Sequence, residues 1–102
     1  MAMPIGREDE AHAYYHSILG LTEKIKPLQL VARGDYWFQN GTLEVHLGVG
    51  KNFVPADKAH PAFIVDDLNG MVGKAIAAGL HVTEDEPIDG CDRRHVDDPF
   101  GN

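Results

Sequence analysis

Two stretches of the chain repeat apolar residues at the spacing of an amphipathic helix. The first stripe consists of Ala11, Tyr14, Tyr15, Ile18 and Leu19. The second stripe consists of Leu68, Met71, Val72, Ala75 and Ile76. Apolar residues at this spacing share one helix face, acidic residues favour a helix start, and glycine favours a helix end. We therefore predict one helix from Glu8 to Gly20 and another that is capped by Asp66 or Asp67 and ends at Gly79.

Short stretches typical of β-strands surround the two predicted helices. After the first helix they are LQLVAR at 28–33, DYWFQ at 35–39 and TLEVHLGV at 42–49. The last two are separated by Asn40 and Gly41, a pair that favours a tight hairpin turn. Around the second helix the strand-like stretches are PAFIV at 61–65, LHVTE at 80–84 and DRRHV at 92–96.

The order of these elements predicts a single α+β domain over 1–102, built from two halves with one plan. The first half, at about 1–55, has the order α-β-β-β, with only MAMPI before its helix. The second half, at about 58–102, has the order β-α-β-β and stops at the turn sequence DDPFGN. Each half therefore matches a βαβββ module with one terminal strand incomplete, the first at its front and the second at its back.

The composition narrows the classes of function. With 9 Lys and Arg against 16 Asp and Glu, the formal net charge is −7, which argues against nucleic acid because phosphate backbones are bound by basic patches. No stretch approaches the roughly 18 apolar residues of a membrane span, and the N-terminus lacks the features of a secretory signal. We therefore expect a cytoplasmic protein without nucleic-acid or membrane partners, whose charge favours cationic small molecules.

The stretch TLEVHLGV carries the first candidate chemistry. Alternation along a strand places its apolar residues on one face and Glu44 and His46 together on the other. His60 lies just before the apolar run PAFIV. Carboxylate and imidazole groups are suitable ligands for a catalytic zinc, nickel, manganese or iron ion, for which three protein ligands suffice. The alternative is that Glu44 and His46 simply form a solvated sheet face, and that His60 lies at a strand end.

The aromatic stretch at Tyr36, Trp37 and Phe38 supplies a second candidate feature. Because side chains alternate between the two faces of a strand, these three cannot all enter the core. We assign Trp37 to a ligand pocket on the face opposite the core. For two of the three side chains, packing in the core is the expected role.

Several motifs together resemble one protein superfamily across almost the whole chain. The stretches are AHAYYHSILGL, YWFQNGTLEVHLGV, KAHPAFIVDDL, AAGLHVTEDEP and DDPFGN. In their order and spacing they resemble the vicinal-oxygen-chelate superfamily of glyoxalase I, bleomycin-resistance proteins, fosfomycin-resistance transferases and extradiol dioxygenases. The resemblance implies paired βαβββ modules whose curled mixed sheets surround a concave site, and members that commonly form dimers. We therefore expect a homodimer.

The resemblance also implies a metal site, with ligands on the first, fourth, fifth and last strands of the paired modules. His60 matches the fifth-strand ligand and Glu44 the fourth-strand ligand, with His46 as the runner-up. The first-strand histidine has no counterpart in MAMPI, and the last-strand glutamate would lie beyond Asn102. Two matching ligands hold a metal only weakly. Missing strands would then come from another chain, the sequence would be a fragment, or the protein would not use metal.

Three functions follow from the resemblance. The first is a divalent-metal-dependent enzyme, a lyase or dioxygenase, which stabilises an enolate or oxyanion of a small oxygen-bearing substrate by Lewis-acid chemistry. In this enzyme Glu44 would bind the metal or carry a proton. The second is a non-catalytic protein of the bleomycin-resistance type that binds a cationic drug in an acidic, aromatic-lined groove at a dimer interface, a function that the net charge and Trp37 fit. The third is a truncated, inactive copy. Fold does not fix function in this superfamily.

Overall fold

The computed structural model describes all 102 residues, except for the side chains of residues 32 and 33. The first half contains strand β1 (Ala2–Pro4), helix α1 (Glu8–Ala11) with its π-helical continuation (His12–Ile18), strand β2 (Thr22–Glu23), a 3₁₀ helix (Leu28–Arg33) and strands β3 (Tyr36–Asn40) and β4 (Leu43–Gly50). The second half contains helix α2 (Leu68–Ala77) and strands β5 (Val82–Glu84) and β6 (Arg94–Val96). No helix in the described chain has the length and apolar character needed to cross a bilayer.

The main sheet has the strand order β1-β4-β3-β2, and β5 and β6 form a separate antiparallel pair. Strand β1 runs parallel to β4, with Met3 opposite Val49, whereas β3 and β4 form the predicted antiparallel hairpin. The prediction of an α+β fold with a curled mixed sheet is confirmed. The first half also has a short opening strand, where the sequence suggested at most a strand end.

Two predicted strands were wrong. Residues 28–33 form a 3₁₀ helix because Pro27, with a φ of −52°, begins a helical turn and Gly34, with a left-handed φ of +78°, ends it. The turn is closed locally by the bond from Leu30 N to the Pro27 carbonyl, 2.8 Å long. Residues 61–65 form no strand. A strand needs a neighbour for its backbone hydrogen bonds, and no described strand pairs with this segment, in which Ile64 is fully exposed.

The core lies between the first helical segment and one face of the main sheet. Tyr14, Tyr15 and Ile18 are buried, as the apolar stripe predicts, and the Tyr15 ring stacks on Phe38 of β3 with centroids 5.5 Å apart. Leu47 of β4 is completely buried in the same cluster. Burying a leucine side chain contributes roughly 1.5–3 kcal/mol to the stability of the fold. The burial of Phe38 and Leu47 beneath the helical segment therefore fixes which sheet face is covered.

The turn at the end of the sequence joins the core through a buried carboxylate. Asp98 is 5% exposed, and its Oδ2 accepts a 2.7 Å hydrogen bond from the Tyr15 hydroxyl. Its Oδ1 accepts from the backbone N–H groups of Phe100 and Asn102, at 2.9 and 2.8 Å. The Asn102 side chain in turn donates to the Ala2 carbonyl at 2.7 Å. One carboxylate therefore connects the closing turn, the first helical segment and β1.

Burial and the Asp98 contact change the acidity of Tyr15. Burial is the main cause that raises the pKa of the Tyr15 hydroxyl, and donation to Asp98 raises it further. The phenol therefore stays protonated and remains a donor throughout the neutral range. On the outer side of the turn, Arg7 donates to the Pro99 carbonyl at 3.1 Å and lies 5.0 Å above the Phe100 ring.

We predict that Tyr15→Phe lowers the free energy of unfolding by about 1.5–3 kcal/mol, the usual range for a hydrogen bond to a charged group. The measurement is urea denaturation followed by circular dichroism. Tyr14→Phe is the matched control, because Tyr14 is a buried neighbour that does not donate to Asp98. Equal destabilisation by the two changes would contradict the role assigned to Asp98.

Candidate functional site

The β3–β4 hairpin separates core residues from site residues by alternation. Phe38, Val45 and Leu47 are buried on the face beneath the helical segment. Trp37 and His46 are directly opposite each other in the register of the two strands, one residue along from these core positions. Glu44, two residues before His46, shares its face. The sheet therefore presents these three side chains together on its uncovered face.

Four residues on this face form a cluster, which we call the open-face cluster: Lys24, Trp37, Glu44 and His46. The rings of Trp37 and His46 stack almost in parallel, with centroids 4.2 Å apart and an angle of 4° between planes. Lys24 follows β2, and its backbone N–H donates to the Trp37 carbonyl at 2.7 Å. Residues from three successive parts of the sheet therefore lie side by side, in the order Lys24, Trp37, His46.

Charged groups complete the open-face cluster. The Lys24 ammonium forms an ion pair with Glu44 Oε1, and it also lies over the Trp37 ring, 5.9 Å from the centroid. The other carboxylate oxygen, Oε2, is 3.5 Å from Nε2 of His46. The hydrogen bond from Lys24 is the main cause that holds the pKa of Glu44 below its usual value, and His46 lowers it further. Glu44 is therefore an anion at neutral pH.

His60, the third predicted metal ligand, lies in a different set of contacts. Its Nδ1 is 2.6 Å from the Lys58 carbonyl, and its ring packs edge-on against His95, with centroids 5.5 Å apart. Nε2 of His95 is in turn 2.9 Å from a carboxylate oxygen of Asp85. The hydrogen bond that Asp85 accepts from the Glu86 backbone is the main cause that lowers the pKa of its carboxyl group, with His95 next.

The residues present do not fit a three-ligand metal centre as they stand. Glu44 and His46 are neighbouring donors, but no three His, Cys, Asp or Glu side chains of the described residues are grouped to hold a metal ion. Catalytic zinc sites usually take three protein ligands and keep one position open. The set Glu44, His46 and His60 therefore stays a prediction, and only its first two members are brought together.

Lys24 is the member of the cluster that the sequence did not reveal. Its assignment depends on the pairing of β2 with β3, where Thr22 is opposite Gln39. Strand β2 has only two residues, too few for an alternation pattern. A signal was present only in the combination of a lysine before the aromatic strand and an acidic residue on the strand after it, and Lys26 fits that description as well as Lys24 does.

A groove of about 360 Å³ adjoins the open-face cluster. Lys24 and Trp37 form part of its wall, and Ile25 and Val31 add exposed apolar surface. Its acidic lining residues are Glu8, Glu23 and Asp35. A volume of this size is at the lower end of the range for small-molecule sites. A second groove, of about 310 Å³, lies between the end of the first helical segment and residues 63–67.

Comparisons with known proteins place this geometry in a family. No family model matches the sequence, and no curated protein sequence matches it. Among solved structures, a protein described as a glyoxalase family member from Bacillus anthracis is 42% identical, with a TM-score of 0.90. The alignment covers 99% of this chain and 83% of that one.

More distant structures share the fold. An antibiotic-binding protein from Streptomyces sp. CB03234 is 16% identical, with a TM-score of 0.67, and the match covers 100% of this chain and 86% of that one. A lactoylglutathione lyase from Agrobacterium tumefaciens is 20% identical, with a TM-score of 0.64 and coverage of 100% and 85%. Together with the 42% identity to the Bacillus protein, these findings confirm the resemblance read from the sequence. The chain belongs to the glyoxalase family, within the vicinal-oxygen-chelate superfamily.

Proposed function

We propose that this protein binds a small organic cation with an aromatic portion at the open-face cluster, as a non-catalytic binding protein. The observation that carries the proposal is the stacked pair of Trp37 and His46 beside the carboxylate of Glu44. Aromatic faces attract cations through the ring quadrupole, and a neighbouring carboxylate adds a full opposite charge. The two features together select a ligand that is both flat and positively charged.

The position of the Lys24 ammonium supports a cation as the ligand of the open-face cluster. It is in contact with the Glu44 carboxylate and lies over the indole of Trp37, which are the two interactions proposed for the ligand. The acidic residues of the adjoining groove and the formal charge of −7 support the same ligand charge. The exposed Ile25 and Val31 offer apolar surface for the uncharged part of the ligand.

The comparison structures are compatible with this proposal. One protein of the same fold is an antibiotic-binding protein, so the architecture can serve in binding a small molecule. At 16% identity that likeness shows the fold alone. The proposal for this chain therefore depends on the chemistry of its own cluster.

A second candidate is a divalent-metal-dependent enzyme of the glyoxalase type. The observation that favours it is that Glu44 Oε2 and His46 Nε2 lie 3.5 Å apart, in a chain that is 42% identical to a glyoxalase family protein. A zinc, nickel, manganese or iron ion would supply Lewis-acid chemistry for a small oxygen-bearing substrate. His60 would have to leave its contact with His95 to join the two donors.

The first proposal predicts selective binding of phenyltrimethylammonium over benzenesulfonate, two small aromatic probes of opposite charge. Trp37 is the single tryptophan of the chain, so its fluorescence reports binding at the cluster. Trp37→Leu should weaken binding of the cation by more than about tenfold, measured by calorimetry, because both stacking and cation attraction are lost. Glu44→Gln should weaken it by about three- to tenfold through loss of the partner charge.

Glu86→Gln is the matched control for Glu44→Gln. Glu86 is exposed and belongs neither to the open-face cluster nor to the adjoining groove, and the change removes the same charge. It should leave binding of the cation within about twofold of the unchanged protein. Equal affinity for both probes, or unchanged binding after Trp37→Leu, would refute the first proposal.

The second candidate predicts stoichiometric metal after the purified protein is incubated with zinc, nickel, manganese or ferrous iron. Glu44→Ala, His46→Ala and His60→Ala should each remove that metal, whereas His12→Ala on the first helical segment should retain it. The measurement is elemental analysis after dialysis. Protein that stays metal-free in all four incubations, yet binds phenyltrimethylammonium, would exclude the second candidate and support the first.

A further inference from the structure

We propose that Lys24 is a specificity-determining residue of this site: its ammonium occupies the position that a ligand cation would take, and the ligand binds by displacing it from Glu44. The inference rests on the proposed function, since it concerns the same cluster. Lys24 acts as an intramolecular competitor of the ligand for Glu44. The competitor is part of the chain, so its effective concentration does not depend on the protein concentration.

A backbone hydrogen bond fixes the position of Lys24. The 2.7 Å bond from Lys24 N–H to the Trp37 carbonyl keeps the lysine next to the aromatic strand. From there the side chain reaches Glu44 on β4 and lies over the Trp37 ring on the way. The Lys24 ammonium is therefore part of the open-face cluster.

Both oxygens of the single carboxylate in the cluster are engaged. Oε1 pairs with Lys24, and Oε2 lies 3.5 Å from His46. An arriving cation therefore meets a carboxylate that already has two partners, and it gains the closest contact with Oε1 by replacing Lys24. Lys24 is the partner that can leave most easily, because a lysine stem is long and flexible, whereas the His46 ring is held in its stack with Trp37.

Acidic residues next to the open-face cluster can receive the Lys24 ammonium after its displacement. The adjoining groove, which Lys24 already lines, carries Glu8, Glu23 and Asp35. A lysine that turns away from Glu44 can therefore exchange one carboxylate for the field of three others. Displacement does not leave an isolated positive charge beside the bound ligand, which keeps the cost of binding small.

The solvent exposure of the Lys24–Glu44 ion pair limits how strongly Lys24 competes with a ligand. The side chains of Lys24 and Glu44 are 34% and 41% exposed, and exposed ion pairs of this kind shift an equilibrium by only about two- to fivefold. Lys24 therefore does not block the site. It lowers the affinity of any competing cation by about that factor, and an aromatic cation offsets the loss by stacking on Trp37, whereas a plain ammonium ion offers only charge.

The test is Lys24→Met in the full chain, with probe binding followed by Trp37 fluorescence. We expect the affinity for phenyltrimethylammonium to rise by about two- to fivefold, because the competing charge is gone. The affinity for benzenesulfonate should stay equal or fall. Lys24→Arg, which keeps a cation in place, should bind phenyltrimethylammonium no more tightly than the unchanged protein.

Lys26→Met is the matched control, because Lys26 carries the same charge and lines the adjoining groove two residues away. It reports the general electrostatic effect of one lost positive charge. If Lys24→Met improves cation binding no more than Lys26→Met does, the inference is overturned, while binding by the unchanged protein still supports the proposed function. If none of these proteins binds the cation, the proposed function and this inference both fail. Matching urea midpoints for the variants confirm that each is folded.

Discussion

The hydrogen bond from the Tyr15 hydroxyl to the buried carboxylate of Asp98 is the interaction on which the rest of the structure depends. It joins residues 83 positions apart in the chain, and the same carboxylate organises the closing turn through the N–H groups of Phe100 and Asn102. A buried carboxylate is costly unless its oxygens are satisfied. Meeting that requirement brings the turn, the first helical segment and, through the Asn102 side chain, strand β1 together.

That constraint determines which face of the sheet is free. With Tyr15 held against Phe38, the helical segment covers the side of β3 and β4 that carries Phe38, Val45 and Leu47. The opposite side is left to Trp37 and His46. The candidate site is therefore a consequence of core packing. Trp37 and His46 lie on the sheet face opposite the core, and their rings stack there.

The parts of the structure that depend on local pattern were predictable from the sequence. The apolar stripe from Ala11 to Leu19, the turn at Asn40 and Gly41, and the alternation that places Glu44 with His46 each need only a few neighbouring residues. The 3₁₀ helix at 28–33 was missed because the conformations of Pro27 and Gly34 outweighed its strand-like composition. Residues 61–65 were assigned to a strand, but a strand also needs a partner, which sequence alone cannot supply. Lys24 and the contact of His60 with His95 depend on pairings between distant segments, and no local pattern encodes them.

We propose that a cationic ligand binds at the open-face cluster and not at the groove beside residues 63–67. The most direct test is a nuclear magnetic resonance titration of ¹⁵N-labelled protein with phenyltrimethylammonium. The single indole N–H belongs to Trp37 and gives an unambiguous signal. We predict that the largest shift changes occur at this indole and at the amides of Lys24 and His46. Larger changes at residues 63–67 than at Trp37 would contradict the claim.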